Sequence, residues 1–283
     1  EHSYRHASKE DKAKNYFTKP LIEKWPRTIE GGVKPPLFLI GFPRSGTTLM
    51  GNILAAHPNM LTLQEEGIIE KIMLGLKYPE ELNDLNNDSI INLQKDYIDR
   101  AKSLLQTDNI NGKTIVDKMP LNNIYLGSSY RIFPGAKILS LLRDPRDACF
   151  SCFIQNFNYN AAMAHFATLE NTIKTYANVM ELYLQYRKIL PPETILEIKY
   201  EDLVADLEGN CRKILSFAGE EWDANVLEYY REENNQYVAT PSYEGVMQPI
   251  YKSAAGKWRN YAKYFAPHMH MLAPFVEKFG YLL

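Results

Sequence analysis

Short apolar runs alternate along this chain with longer stretches in which apolar residues recur every three or four positions. Leu37-Phe38-Leu39-Ile40 is apolar throughout and bounded by Pro36 and Gly41. A strand covered on both faces of a parallel sheet has this pattern, because neither face meets water. Comparable runs lie at Thr114 to Val116, Lys137 to Leu142 and Thr194 to Ile198, and Leu61-Thr62-Leu63 reads as the end of a further strand. Helical spacing predicts helices over 47–56, 67–76, 89–106, 163–189, 206–218 and 267–279, several entered through Ser, Thr, Asp or Pro. Strands alternating with helices predict an α/β fold, a parallel sheet flanked by helices. Residues 1–36 are polar, carry eight Lys or Arg, and end in Gly31-Gly32 and Pro35-Pro36. They read as a lead-in segment before a single domain over 37–283.

At 283 residues and 45% hydrophobic, the chain has material for a core that needs no disulfide or metal staple. Lys plus Arg total 32 against 34 Asp plus Glu, a net charge of −2. No global field recruits nucleic acid, so any anion site is local. Charge is nonetheless uneven: 201–235 holds ten acids and three basic residues, whereas 251–270 holds four Lys or Arg and no acid, a basic lobe. Three cysteines, Cys149, Cys152 and Cys211, suit a reducing compartment and hence a cytoplasmic location. No apolar run reaches the roughly 18 residues of a membrane span. The chain begins at Glu1 instead of Met, which leaves room for an upstream anchor or domain.

Gly41-Phe42-Pro43-Arg44-Ser45-Gly46-Thr47-Thr48 follows the first strand and opens the first helix. Strand, loop and helix in that order gather backbone N–H groups and the positive end of a helix dipole around one point, an anion cradle. The spacing is that of a P-loop, but Gly46-Thr47-Thr48 stands where a nucleotide triphosphatase has Gly-Lys-Thr, so the lysine that reaches terminal phosphates is missing. Arg44 supplies charge instead, its planar fork suited to two oxygens of a tetrahedral anion, and the Thr47 and Thr48 hydroxyls add donors without a magnesium ion. The acids that could hold magnesium, Asp117 and Asp144, sit beside Lys118 and between Arg143 and Arg146, neighbourhoods that favour anions over a metal.

A second anion site is expected where Arg143 leaves the strand 137–142, at the sheet edge where ligands bind such folds. Ser151, two turns into the next helix, can converge with it. A loop plus a distant Arg/Ser pair suits a ligand with two separated phosphate-like groups. Other conspicuous residues read as structural. Cys149 and Cys152 have redox spacing but are expected to be buried thiols. His268 and His270 are two apart and face different ways on a helix, with no further metal ligands. Phe166, Tyr176, Tyr183 and Tyr186 read as core helix, not a nucleic-acid platform.

Read in order, several motifs carry a family resemblance: Pro43-Arg44-Ser45-Gly46-Thr47-Thr48-Leu49, His57-Pro58, Glu65-Glu66, Asp117-Lys118-Met119-Pro120, Arg143-Asp144-Pro145-Arg146, Tyr200-Glu201-Asp202-Leu203, Thr240-Pro241-Ser242-Tyr243 and Gly256-Lys257-Trp258. Together, over about residues 36–283, they resemble the sulfotransferases that use 3′-phosphoadenosine-5′-phosphosulfate (PAPS), in the branch of tyrosylprotein sulfotransferases and related bacterial enzymes. The resemblance implies the sulfotransferase fold and a sulfuryl transfer that releases adenosine 3′,5′-bisphosphate with no metal. It implies that Arg44, Ser45, Gly46, Thr47 and Thr48 hold the 5′-phosphosulfate, and Arg143 with Ser151 the 3′-phosphate. Tyr200 would lie against the adenine, the stretch from Ser242 to Tyr251 would close over the nucleotide, and Lys257 would reach its phosphates. Glu65, at the end of a strand neighbouring the loop, is the expected base, with Glu66 as runner-up. Lys118, Arg44 and Ser242 would stabilise charge on the sulfuryl oxygens and the leaving phosphate. One departure is Gln155, where related tyrosylprotein enzymes carry an Arg four residues after the serine.

The acceptor is left open between a peptide tyrosine, a carbohydrate hydroxyl and a small-molecule alcohol or phenol. A P-loop nucleotide kinase and a non-catalytic nucleotide-binding module are the alternatives. The Golgi lumen replaces the cytoplasm if the chain was cut from an anchored enzyme, and a homodimer stays open.

Overall fold

The computed structural model of the chain describes residues 10–155, 166–231 and 256–283. Five strands, β1 (Leu37–Gly41), β2 (Met60–Gln64), β3 (Thr114–Lys118), β4 (Lys137–Leu142) and β5 (Ile195–Lys199), form a parallel sheet in the order β2-β3-β1-β4-β5. The helices among the described residues are α1 (10–16), α2 (Lys19–Lys24), α3 (Thr47–Ala55), α4 (Ile68–Met73), α5 (Asn87–Leu105), α6 (Leu126–Ile132), α7 (Pro145–Phe153), α8 (Leu169–Ile189), α9 (Tyr200–Ala205), α10 (Leu207–Ala218), α11 (Ala262–Phe265) and α12 (Met269–Lys278). None is long and apolar enough to cross a membrane.

Alternation along each strand explains the continuous apolar runs. Leu37 and Leu39 pack on one face with Leu49, Met50 and Ile53 of α3 and Ile214 and Leu215 of α10. Phe38 and Ile40 pack on the other with Tyr97 of α5, Leu126 of α6, Tyr176 of α8 and Phe275 of α12. Each large aliphatic side chain so buried contributes about 1.5–3 kcal/mol. The register sets Leu39 opposite Lys118 and Gly41 opposite Leu141, so the C-terminal ends of β1, β3 and β4 share one edge. Ligands bind doubly wound sheets at such an edge.

The expected strands and helices are present with shifted ends. α5 starts at Asn87, two residues early, because Asn86 caps it by accepting the Ser89 N–H at 2.8 Å. α8 starts at Leu169 because Thr168 takes the cap position and accepts from the Asn171 N–H; positions 163–165 of the expected helix lie outside the described residues. α6 was not anticipated: every residue from Leu126 to Ile132 is buried, so no polar face marks a helical period. The segment before β1 is more than a polar lead-in. Ala13, Phe17, Ile22 and Trp25 are buried in the same core as Phe38, with Phe17 in edge contact with Trp25 at 6.2 Å.

Candidate functional site

The turn from β1 to α3 is built from left-handed residues. Arg44 has φ 69° and Gly46 φ 100°, and the Ser45 N–H closes the turn on the Phe42 carbonyl at 3.1 Å. A side chain at Gly46 would be strained by that backbone and would bring its Cβ to 2.7 Å from the Tyr200 ring. Tyr200, the first residue of α9, therefore packs directly on the loop. Ser45, Thr47 and Thr48 are buried beneath it, and the Ser45 hydroxyl has no hydrogen-bond partner. Buried polar atoms are normally satisfied, so that hydroxyl is suited to an incoming acceptor atom.

Arg44 and Ser151, assigned from the sequence to different anion sites, touch: Arg44 Nε donates to Ser151 Oγ at 3.1 Å. Arg143 Nη1 donates to the Arg44 carbonyl at 2.8 Å, and its guanidinium lies 4.8 Å from the centroid of the Tyr200 ring. Arg44, Arg143, Ser151, Tyr200 and the loop thus form one connected cluster, in which Arg44 of the loop bonds both Arg143 and Ser151. Glu201, next to Tyr200, holds this arrangement from below. Its carboxylate accepts the Asp144 N–H at 3.1 Å and the Tyr281 hydroxyl at 2.8 Å. Neither contact has a local sequence signature, because both partners are distant along the chain.

Across the edge, Lys118 Nζ meets Glu65 Oε1 at 2.7 Å. The lysine side chain is fully buried, whereas that of Glu65 is 40% exposed. Burial pulls the Lys118 pKa below the ordinary lysine value, with the Glu65 charge acting in opposition. Glu65 adopts φ 60°, rare for a residue with a side chain, and its N–H donates to the Lys118 carbonyl at 2.8 Å. Two contacts between the same residues thus fix the carboxylate at the mouth of the edge. Glu66 is not the partner of the lysine. Gln64, opposite Lys118 in the register, packs beside it over Gly51 of α3.

Asp117 faces away from this edge into the core, where it accepts from the Tyr97 hydroxyl at 2.9 Å. Burial raises its pKa to about 6, the Tyr97 hydrogen bond opposing. Because the folded pKa lies above the unfolded one, ionising Asp117 destabilises the fold; the penalty is absent below about pH 4 and complete above about pH 6. Asp117→Asn is therefore expected to raise stability above pH 7 by about 2–3 kcal/mol and to leave it unchanged near pH 4, as denaturant melts at the two pH values will show.

Not every sequence expectation meets at the edge. Arg146 turns away from it: the side chain is buried, bonds Asp144 at 2.8 Å and the Leu282 carbonyl at 2.6 Å, and stacks on Trp258. Its charge docks the C-terminus instead of drawing an anion. Lys257 is exposed on the turn Lys257–Tyr261. Ser242 and Tyr251 lie outside the described residues. Cys149 and Cys152 are buried free thiols whose pKa values burial drives up, and Cys152 donates to the Pro43 carbonyl beneath the loop. The His57 ring links the turn after α3 to the Glu221 carbonyl at 2.9 Å, which gives His57-Pro58 a structural place. Phe166, Tyr176, Tyr183 and Tyr186 are buried. No group of three or more His, Cys, Asp or Glu among the described residues could hold a metal ion.

Comparison with known proteins adds independent findings. The model of the Sulfotransferase family matches residues 35–224. An uncharacterized protein of Aquifex aeolicus (strain VF5) is 32% identical over 271 residues, 90% of this chain and 34% of that protein. Protein-tyrosine sulfotransferase A of Caenorhabditis elegans is 25% identical over 274 residues, 87% of this chain and 67% of that one. This chain thus spans about a third of the first of these relatives. Among solved structures, the sulfotransferase domain from the curacin biosynthetic pathway aligns with TM-score 0.65 and 20% identity over 89% of this chain and 99% of that one. A mouse sulfotransferase complexed with PAP aligns with TM-score 0.52 and 17% identity over 87% and 84%. These structural likenesses show that the parallel sheet and its helices form a sulfotransferase fold.

Proposed function

Because the chain belongs to the sulfotransferase family, we propose that it moves a sulfuryl group from PAPS to a hydroxyl acceptor and releases adenosine 3′,5′-bisphosphate. The observation that carries this reading is the meeting, on one sheet edge, of a Glu65–Lys118 pair with an anion-suited cluster of Arg44, Arg143, Ser151 and Tyr200.

Sulfuryl transfer proceeds through a loose, in-line transition state, so the protein chiefly positions reactants and stabilises charge. Ser45, Gly46, Thr47 and Thr48 offer donors around the 5′ end of the nucleotide, with the α3 dipole behind them. Arg143 and Ser151 serve the 3′-phosphate and Tyr200 the base, with Arg44 reaching either phosphate. Glu65 accepts the acceptor's hydroxyl proton as that oxygen bonds to sulfur and the bond from sulfur to the leaving phosphate oxygen breaks. Lys118 has two partners to choose between. Held by Glu65, it occupies that carboxylate; drawn toward negative charge on the sulfuryl and leaving oxygens, it releases Glu65 to take the proton. Ser242, Tyr251 and Lys257 complete the nucleotide contacts in this proposal. No residue here needs a metal for its role.

The acceptor class stays broad: a tyrosine-like phenol, a carbohydrate hydroxyl or a small-molecule alcohol presents the same proton to Glu65. The likeness to a protein-tyrosine sulfotransferase favours the phenol.

The test is a thermal-shift titration, because a ligand bound by the native state raises Tm by mass action. Adenosine 3′,5′-bisphosphate at about 100 times its Kd is expected to add about 2.7 kcal/mol of stability, with ATP plus Mg²⁺ giving a smaller shift. Stabilisation by ATP with Mg²⁺ alone overturns the sulfotransferase reading in favour of a kinase.

A further inference from the structure

α7 carries Ser151 and begins two residues after Arg143, yet its first turn devotes a buried acid to another part of the chain. Asp147 is 1% exposed. Its carboxylate accepts the Gly256 N–H through Oδ2 and the Trp258 N–H through Oδ1 at 3.0 Å. Gly256 has φ 77°, and such a left-handed residue turns the N–H groups at positions i and i+2 toward one anion, a backbone nest. Here a side-chain carboxylate fills the nest, and hydrogen bonds to an ionised acceptor are the strong ones. Two further contacts bind the same turn to α7. The Arg146 guanidinium lies 4.0 Å from the Trp258 ring centroid, and Phe150 stacks on Tyr261 at 4.5 Å and 30°.

Lys257 is the residue between the two gripped N–H groups, and its side chain is exposed. We propose that Asp147 is a positioning residue for Lys257: by holding the backbone on both sides of it, the carboxylate ties the basic turn to the helix that bears Ser151, so that Lys257 and the Arg143–Ser151 cluster address one nucleotide as a unit. The proposal rests on the reading that this site binds the nucleotide and that Lys257 touches its phosphates. Asp147 acts only through Lys257, so removing either residue removes one and the same contribution.

A double-mutant cycle reads this directly. Titration calorimetry with adenosine 3′,5′-bisphosphate is expected to show Kd raised about tenfold by Asp147→Asn, about tenfold by Lys257→Ala, and still only about tenfold by both together. Asp147→Asn combined with Thr48→Ala, on α3 and with no contact to Asp147 described above, is expected to multiply instead. A merely structural Asp147 would give multiplying losses with both partners, and that result overturns the proposal. Hydrogen exchange on the unaltered protein supplies a second measure that needs no variant to fold. The amides of Gly256 and Trp258 are expected to be as protected as those inside α7, and free exchange at both overturns the grip itself. If the unaltered protein binds no bisphosphate, the nucleotide reading falls and this proposal with it; if it binds and the Asp147 and Lys257 losses multiply, this proposal alone falls.

Discussion

Glu65→Gln is expected to lower kcat/KM for PAPS and acceptor by about a hundredfold to ten-thousandfold while leaving the Kd for adenosine 3′,5′-bisphosphate nearly unchanged. The geometry gives three reasons. Glu65 is the partially exposed member of the pair with Lys118, so its carboxylate can meet an acceptor. It is held in a left-handed conformation, which a residue with a side chain keeps only when its surroundings enforce it. And it stands at the end of β2, away from the Arg143–Tyr200 cluster that the nucleotide would occupy. Glutamine keeps the shape and can still accept from Lys118, so the fully buried ammonium is not stranded, as it would be by alanine. Steady-state kinetics with calorimetry on the same variant provide the measurement. Turnover within threefold of the unaltered protein removes Glu65 as the base and passes the role to Glu66.

Gly46→Ala is expected to act at the opposite end of the reaction, on binding. The left-handed backbone at this position costs a residue with a Cβ about 1–2 kcal/mol. The new methyl would also sit 2.7 Å from Tyr200 Cδ2, so either the loop or the ring must move. The ring supports the Arg143 guanidinium, so displacing it disturbs both expected phosphate positions at once. A loss of bisphosphate affinity of roughly thirtyfold or more is expected, equivalent to about 2 kcal/mol, together with a lowered Tm. Unchanged affinity would show that the loop and Tyr200 do not share a ligand.

What the sequence disclosed followed from local pattern. The apolar run at 37–40 and the turn residues after it marked β1 and the loop, because strand, turn and helix cap are each encoded within a few residues. Glu65 and Arg143 at strand ends and Ser151 on the helix after β4 are legible as candidates from their chemistry and place, and Lys118 through the family resemblance. Their pairing was not. That Arg44 reaches Ser151, or that Lys118 spends its charge on Glu65, depends on the register of strands and the packing of α7. The contacts of Glu201 and Asp147 leave no local signature for the same reason: each serves a backbone N–H more than fifty positions away. α6 escaped because burial on every side erases the periodicity that announces a helix.

The place of β1 in the sheet also has a consequence for how the chain is made. β1 leaves the ribosome first of the five strands, yet Leu37 pairs with Val116 on one side and Lys137 on the other. At about 5–20 residues per second, the second partner emerges roughly five seconds or more after β1. Until β3 emerges an entirely apolar strand has two open edges, one edge stays open until β4 follows, and the loop after β1 has no Tyr200 to rest on. Such long-range parallel pairing makes for slow folding, so assembly of the loop after β1 is a late event that awaits β4 and α9. Nascent chains stopped before β4 are therefore the species most exposed to aggregation and most dependent on chaperones.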